Sequence, residues 1–167
     1  MAEDKSIRTA ILTISDKGFL GQREDTSGPG LEEPLQQIGA RMIHYEILPD
    51  ERPLIAARLR ELADEGKVDL ILTTGGTGVS PRDVTPEATR EVLEREIPGL
   101  AEAMRARSLT ITPHAMISRA VVGIRRRCLI INLPGSPRGA RENLEVVLPI
   151  LDHLIKKIQG DPSECAR

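Results

Sequence analysis

Two stretches of this chain, Ile7 to Ser15 and Val68 to Leu72, carry apolar residues on both sides of an extended backbone. A strand with one wet face alternates apolar and polar positions. These two do not, so each reads as a strand covered on both faces. A sheet built on such strands needs helices above and below it.

The intervals supply them. Leu31 to Ile38 reads as a short helix ended by Gly39, and Pro53 to Glu65 as a longer one ended by Gly66. Met42 to Leu48 alternates, which places that strand nearer a sheet edge. Thr85 reads as the N-cap of a helix with Pro86 at its first position, running to about Glu96. Pro98-Gly99 breaks the chain, helix resumes from Leu100 to about Leu109, and Thr110 to Ser118 is irregular around Pro113. Ala120 to Ile124 and Cys128 to Asn132 read as a hairpin turning on Arg125-Arg126-Arg127. A final helix runs from about Ala140 to Gln159, with a kink expected at Pro149. Strands alternating with helices specify an α/β fold: a three-layer sandwich with a mostly parallel central sheet, helices on both faces and a small hairpin. The chain reads as one domain over 1–167, with residues 1–5 and 161–167 as flexible tails.

Composition narrows the chemistry. Phe19 and Tyr45 are the only aromatic residues and there is no Trp, so the core is aliphatic and a bound ring finds little to stack on. A net charge of −2 argues against a dedicated nucleic-acid binder, which is usually strongly basic. The charge is uneven: residues 1–98 carry 12 Lys/Arg against 19 Asp/Glu, and residues 99–167 carry 11 against 6. That is either a basic surface for a phosphorylated ligand or a set of charges that mix on folding. Cys128 and Cys165 fit no disulfide framework or zinc spacing. The polar start and the lack of a long apolar run point to a cytoplasmic protein without signal peptide or membrane span.

Right-handed connections gather the loops after parallel strands on one sheet edge, where ligands of open α/β sheets bind. That edge collects Ser15-Asp16, Pro49-Asp50, Thr74 to Asp83 and Asn132 to Gly139. Gly75-Gly76-Thr77-Gly78 follows a strand and precedes a helix start, a setting suited to phosphate. It has neither Walker A nor dinucleotide-fold spacing, and a tight turn for close packing is the other reading. Asp50 and Asp83 lie beyond two strands on this edge. They could hold Mg²⁺ against substrate phosphates, or serve as acidic residues at helix entries. His44, His114 and His153 lack ligand spacing. Ser136 sits in no G-x-S-x-G turn, which excludes a serine hydrolase.

Leu48-Pro49-Asp50-Glu51, Thr74-Gly75-Gly76-Thr77-Gly78 with Arg82-Asp83-Val84-Thr85-Pro86-Glu87-Ala88-Thr89, Ile111-Thr112-Pro113-His114-Ala115-Met116 with Ser118-Arg119, and Asn132-Leu133-Pro134-Gly135-Ser136-Pro137 together resemble the molybdopterin adenylyltransferase family. That family includes the gephyrin G domain, and the likeness extends from about Ile7 to Gly160. The resemblance implies transfer of AMP from Mg·ATP to the terminal phosphate of molybdopterin, with pyrophosphate released, in molybdenum-cofactor biosynthesis. It makes Asp50 and Asp83 the catalytic, Mg²⁺-associated carboxylates. It places Gly75, Gly76, Thr77 and Gly78 on nucleotide phosphate, with Thr74, Pro134, Gly135 and Ser136 along the nucleotide pocket. Ser15, Asp16, Ser108 and Asn132 match positions in the family's ligand site. It further implies a homotrimer, with a downstream molybdenum insertase as a candidate partner. Alternatives are a molybdopterin-binding paralogue or an oligomerisation scaffold without adenylylating activity. A nucleotide hydrolase related to competence-damage proteins is a third, against which the intact Arg82 to Pro86 pattern speaks.

Overall fold

The computed structural model describes residues 6–165. Its centre is a six-stranded sheet formed by β1 (Ile7–Ile14), β2 (Ala40–Leu48), β3 (Leu70–Thr74), β4 (Arg95–Glu96), β5 (Val122–Arg125) and β6 (Cys128–Leu133), in the order β2-β1-β3-β6-β5-β4. β2, β1, β3 and β6 run parallel, while β5 pairs antiparallel with both β6 and β4. The alternating strand is indeed at an edge, and the continuously apolar β1 and β3 are central.

Helices cover both faces. α1 (Asp16–Phe19) is a single turn, α2 (Glu32–Gln36) follows a 3₁₀ turn at Pro29–Leu31, and α3 (Arg52–Asp64), α4 (Thr85–Val92), α5 (Pro98–Leu109) and α6 (Pro137–Ile158) complete the set. Side-chain alternation along the strands sorts the core into two layers. Ile11, Leu70, Leu72, Leu129 and Ile131 pack with Leu35 of α2, Met104 of α5 and Leu144, Val147 and Leu151 of α6. Ala10, Leu12, Ile71 and Ile130 pack with Ile55 and Leu59 of α3 and Ala88 and Val92 of α4. Burying these aliphatic side chains supplies the main driving force, about 1.5–3 kcal/mol for each large one.

Three local expectations need correction. Thr85 does not cap α4: the cap position is Val84, and the Thr85 hydroxyl instead donates to the Gly75 carbonyl at 2.9 Å. The helix stops at Val92 rather than Glu96, because Leu93 turns extended and Arg95–Glu96 joins the sheet. Packing explains that stop. A Cβ on Gly123 would lie 2.5 Å from Leu93 Cδ1, so this glycine opens the space that Leu93 fills beside β5. Pro98 begins α5 rather than breaking the chain before it. α6 continues through Pro149, which lies on its exposed side.

The hairpin turn carries Arg126 at φ 53°, the left-handed region that tight turns demand. Its neighbours explain how three arginines are tolerated. Arg125 and Arg126 both reach Asp64 of α3.

Candidate active site

The parallel strands β1, β2, β3 and β6 end on one edge, and four loops meet there. Ser15 caps α1, its hydroxyl accepting from the Gly18 N–H at 3.0 Å. Asp16 and Asp50 face each other and exchange hydrogen bonds. The Asp50 N–H donates to Asp16 Oδ1 at 2.9 Å, and the Asp16 N–H donates to Asp50 Oδ2 at 3.0 Å. Arg82 arrives from the loop beyond β3. It donates to both Asp16 oxygens at 3.0 Å and to Glu51 at 2.9 Å.

The glycine loop is shaped by what surrounds it. Gly75 has φ +105°, and a Cβ there would lie 2.3 Å from the Ile14 carbonyl oxygen. Gly76 has φ +66°, and its Cβ would meet Thr85 Oγ1 at 2.4 Å and Asp50 Oδ1 at 3.1 Å. A Cβ on Gly78 would lie 2.9 Å from Asp83 Oδ2. The two carboxylates named from sequence therefore rest against alternate glycines of one loop. Gly75 donates its N–H to Leu133. Among the described residues no group accepts the N–H of Gly76, Thr77 or Gly78. Free amide donors beside carboxylates suit a ligand that brings both phosphate oxygens and a cation.

Electrostatics separate the paired aspartates. Burial, followed by the negative charges of Asp16 and Asp83, pushes Asp50 above the ordinary carboxyl range, although the Asp16 N–H and Arg82 act the other way. Hydrogen bonding to Arg82 holds Asp16 below it. Asp50 thus gains most from a cation placed beside it. Asp50 and Asp83 offer hard carboxylate oxygens, a donor set that fits Mg²⁺ shared with phosphate. No group of three or more His, Cys, Asp or Glu able to hold a metal alone occurs among the described residues.

The edge holds two adjoining compartments. A cleft of about 510 Å³ is lined by Ser15, Asp50, Thr74, Gly75, Gly76, Asp83, Gly135 and Ser136 among others. A smaller one of about 250 Å³ is lined by Thr77, Gly78, Ser108, Pro134 and Ser136, with Arg105, Ile111, His114 and Ile117. The glycine loop and the Pro134–Ser136 turn contribute to both. These two segments are tied together, with Thr74 Oγ1 donating to the Pro134 carbonyl at 2.6 Å and a Gly135 Cβ falling 3.3 Å from Gly75 Cα.

Two residues named from the sequence lie off both linings. Asp16 sits behind Asp50. Asn132 is fully buried on the α4 side of the sheet. Its Nδ2 donates to Thr73 and Thr89 at 2.9 Å each, and its Oδ1 accepts from the Val121 N–H at 3.1 Å.

The structure adds Asp25 to the wall of the larger cleft. Burial opposes its ionisation, yet donors from Thr13, Tyr45, Gly28 and Ser27 outweigh it and hold the carboxyl below its ordinary range. Burial and Asp25 together push the Tyr45 phenol up to about 12. Ser27 then ties this loop to the Gly135 carbonyl at 2.7 Å. A sequence signal did exist, since Asp25-Thr26-Ser27-Gly28 has the composition of an Asx turn.

Residues 10–153 match the family model described as probable molybdopterin binding domain. The molybdopterin adenylyltransferase of Helicobacter pylori strain J99 is 43% identical over 159 residues, covering 94% of this chain and 90% of that protein. The molybdopterin adenylyltransferase of Escherichia coli K12 is 44% identical over 144 residues, covering 85% of this chain and 74% of that one. The crystal structure of the molybdopterin biosynthesis enzyme MoaB from Thermus thermophilus superposes with a TM-score of 0.88 at 54% identity, covering 95% of this chain and 99% of that one.

Proposed function

The chain belongs to the molybdopterin-binding domain family, and from that membership and the geometry of its sheet edge we infer that it is a molybdopterin adenylyltransferase of molybdenum-cofactor biosynthesis. The observation that carries the reading is the run of N–H groups at Gly76, Thr77 and Gly78 without partners among the described residues, flanked by Asp50 and Asp83.

In this reading the larger cleft takes ATP and the smaller one takes the pterin. An oxygen of the molybdopterin terminal phosphate attacks the α-phosphorus of ATP. A new P–O bond forms, the bond from the α-phosphorus to the bridging oxygen breaks, and pyrophosphate leaves. Little covalent work falls to the protein, so positioning and charge neutralisation dominate. The glycine-loop amides steady the phosphoryl oxygens, and the Pro134–Ser136 turn, shared by both compartments, brings the two substrates together. Asp50 and Asp83 would hold Mg²⁺, which neutralises charge on the triphosphate when bound. Burial makes the charge of Asp50 costly, so a cation beside it would offset that cost.

Support for the pterin side is compositional. Ile111, Ala115 and Ile117 give the smaller compartment an aliphatic wall, and Ser108, Thr112 and Asn143 add polar groups. The reading extends to a homotrimer and to delivery of the product to a downstream molybdenum insertase. Sedimentation equilibrium checks the first.

Asp50→Asn and Asp83→Asn test the reading. Both variants are expected to retain a cooperative melt and to lose transfer of label from α-³²P-ATP to molybdopterin. Undiminished transfer in both would remove the proposed mechanism.

A further inference from the structure

Arg119 follows the 3₁₀ segment Pro113–Ile117, several of whose residues line the smaller compartment, and it reaches across to the far side of the glycine loop. Its backbone N–H donates to the Thr77 carbonyl at 2.9 Å. Its Nε donates to the Gly78 carbonyl at 2.6 Å and its Nη2 to the Asp83 carbonyl at 2.8 Å. Its Nη1 is held by Glu87 in the first turn of α4. One guanidinium therefore grips both ends of the turn Gly78–Asp83 while a helix grips the guanidinium.

Within that turn the Asp83 N–H donates to the Ser80 carbonyl and the Ser80 N–H donates to Asp83 Oδ2, each at 2.9 Å. These bonds fix the carboxylate relative to its own turn. They do not fix the turn relative to the sheet. Val79 at its tip is 64% exposed and has no part in either core cluster. Arg82 ties the turn toward Asp16 and Glu51 on one side, and Arg119 ties it on the other.

We propose that Arg119 is a positioning residue that sets the Asp83 carboxylate by clamping the carbonyls at both ends of the Gly78–Asp83 turn. It touches no reacting atom and acts through the backbone. The planar fork matters here, since a guanidinium spans two carbonyls and a carboxylate in fixed directions and a lysine ammonium does not. The proposal rests on the assignment of Asp83 to Mg·ATP above.

Calorimetric titration of ATP into the purified protein, with Mg²⁺ and with EDTA, tests it. In the wild type Mg²⁺ is expected to tighten ATP binding. Arg119→Ala should weaken Mg·ATP binding by about 10–100-fold, the usual cost of removing a group that orients a metal-binding side chain. Binding of ATP in EDTA should weaken by far less, since Arg119 also holds the Gly78 carbonyl, and millimolar guanidinium should restore much of the loss. Arg119→Lys should fall between wild type and Arg119→Ala, and it carries the comparison if the alanine variant fails to fold. Equal weakening with and without Mg²⁺, or unchanged Mg·ATP binding in both variants, overturns the proposal and leaves the adenylyltransferase reading standing. A wild type whose ATP binding gains nothing from Mg²⁺ contradicts the Asp83 assignment itself, and the positioning claim falls with it.

Discussion

Burial and two neighbouring carboxylates make Asp50 hard to ionise, whereas Asp16, gripped by Arg82, ionises readily. The two shifts act oppositely on stability. A carboxyl whose folded-state value lies above its unfolded one contributes stability that is complete below the unfolded value and lost as pH rises through the folded value. Asp50 is therefore destabilising when charged at neutral pH, while Asp16 contributes above its unfolded value of 3.8 and loses that contribution in acid. Asp50→Asn should melt at or above the wild-type temperature at pH 7, and the difference should close below pH 3.8. A variant less stable than wild type at pH 7 and matched to it in acid would reverse the sign. Gly76 makes a steric prediction. Gly76→Ala forces a side chain into a left-handed position against Thr85 and Asp50, at a cost of about 1–3 kcal/mol. Urea denaturation should show that loss, and adenylyl transfer should fall with it.

The strands, helices and loops that form the sheet edge were largely legible from pattern. β1 and β3 announce two-sided burial, β2 announces an edge, and the loops after them deliver Asp50 and the glycines to one place. What pattern could not convey was long-range bonding. Thr85 has every local mark of a cap, but its hydroxyl is drawn to the Gly75 carbonyl across the loop. Arg95–Glu96 looks helical until Gly123, distant in sequence, makes room for Leu93. Asn132 stands inside a motif that the resemblance assigns to the ligand site, yet its side chain faces the core and joins β6 to Thr73 on β3, Thr89 on α4 and the Val121 amide. Asn132→Ala would leave that amide buried without its acceptor, which costs about 1–3 kcal/mol. Chemical denaturation should report the loss. Any fall in turnover should follow unfolding instead of a specific change in substrate affinity.

Over the whole molecule, the acidic first part of the chain and the basic last part meet. Arg119 pairs with Glu87, Arg125 with Asp64, Arg126 with Glu94 and Arg141 with Glu33, each crossing from one part to the other. The imbalance visible along the sequence is thus taken up in part by ion pairs across the fold. Arg141 and Glu33 are solvent-facing, so Arg141→Ala should leave the melting temperature nearly unchanged, and added salt should shrink even that small difference. Among the described residues no helix is long and apolar enough to cross a membrane. The central claim is that two carboxylates and one glycine loop serve a two-substrate transfer and not hydrolysis of ATP. Pyrophosphate release from Mg·ATP by the purified wild type, measured with and without molybdopterin, tests it most directly. Release that requires molybdopterin and matches the adenylylated pterin formed is the predicted result. ATP turnover that proceeds equally without molybdopterin would contradict it.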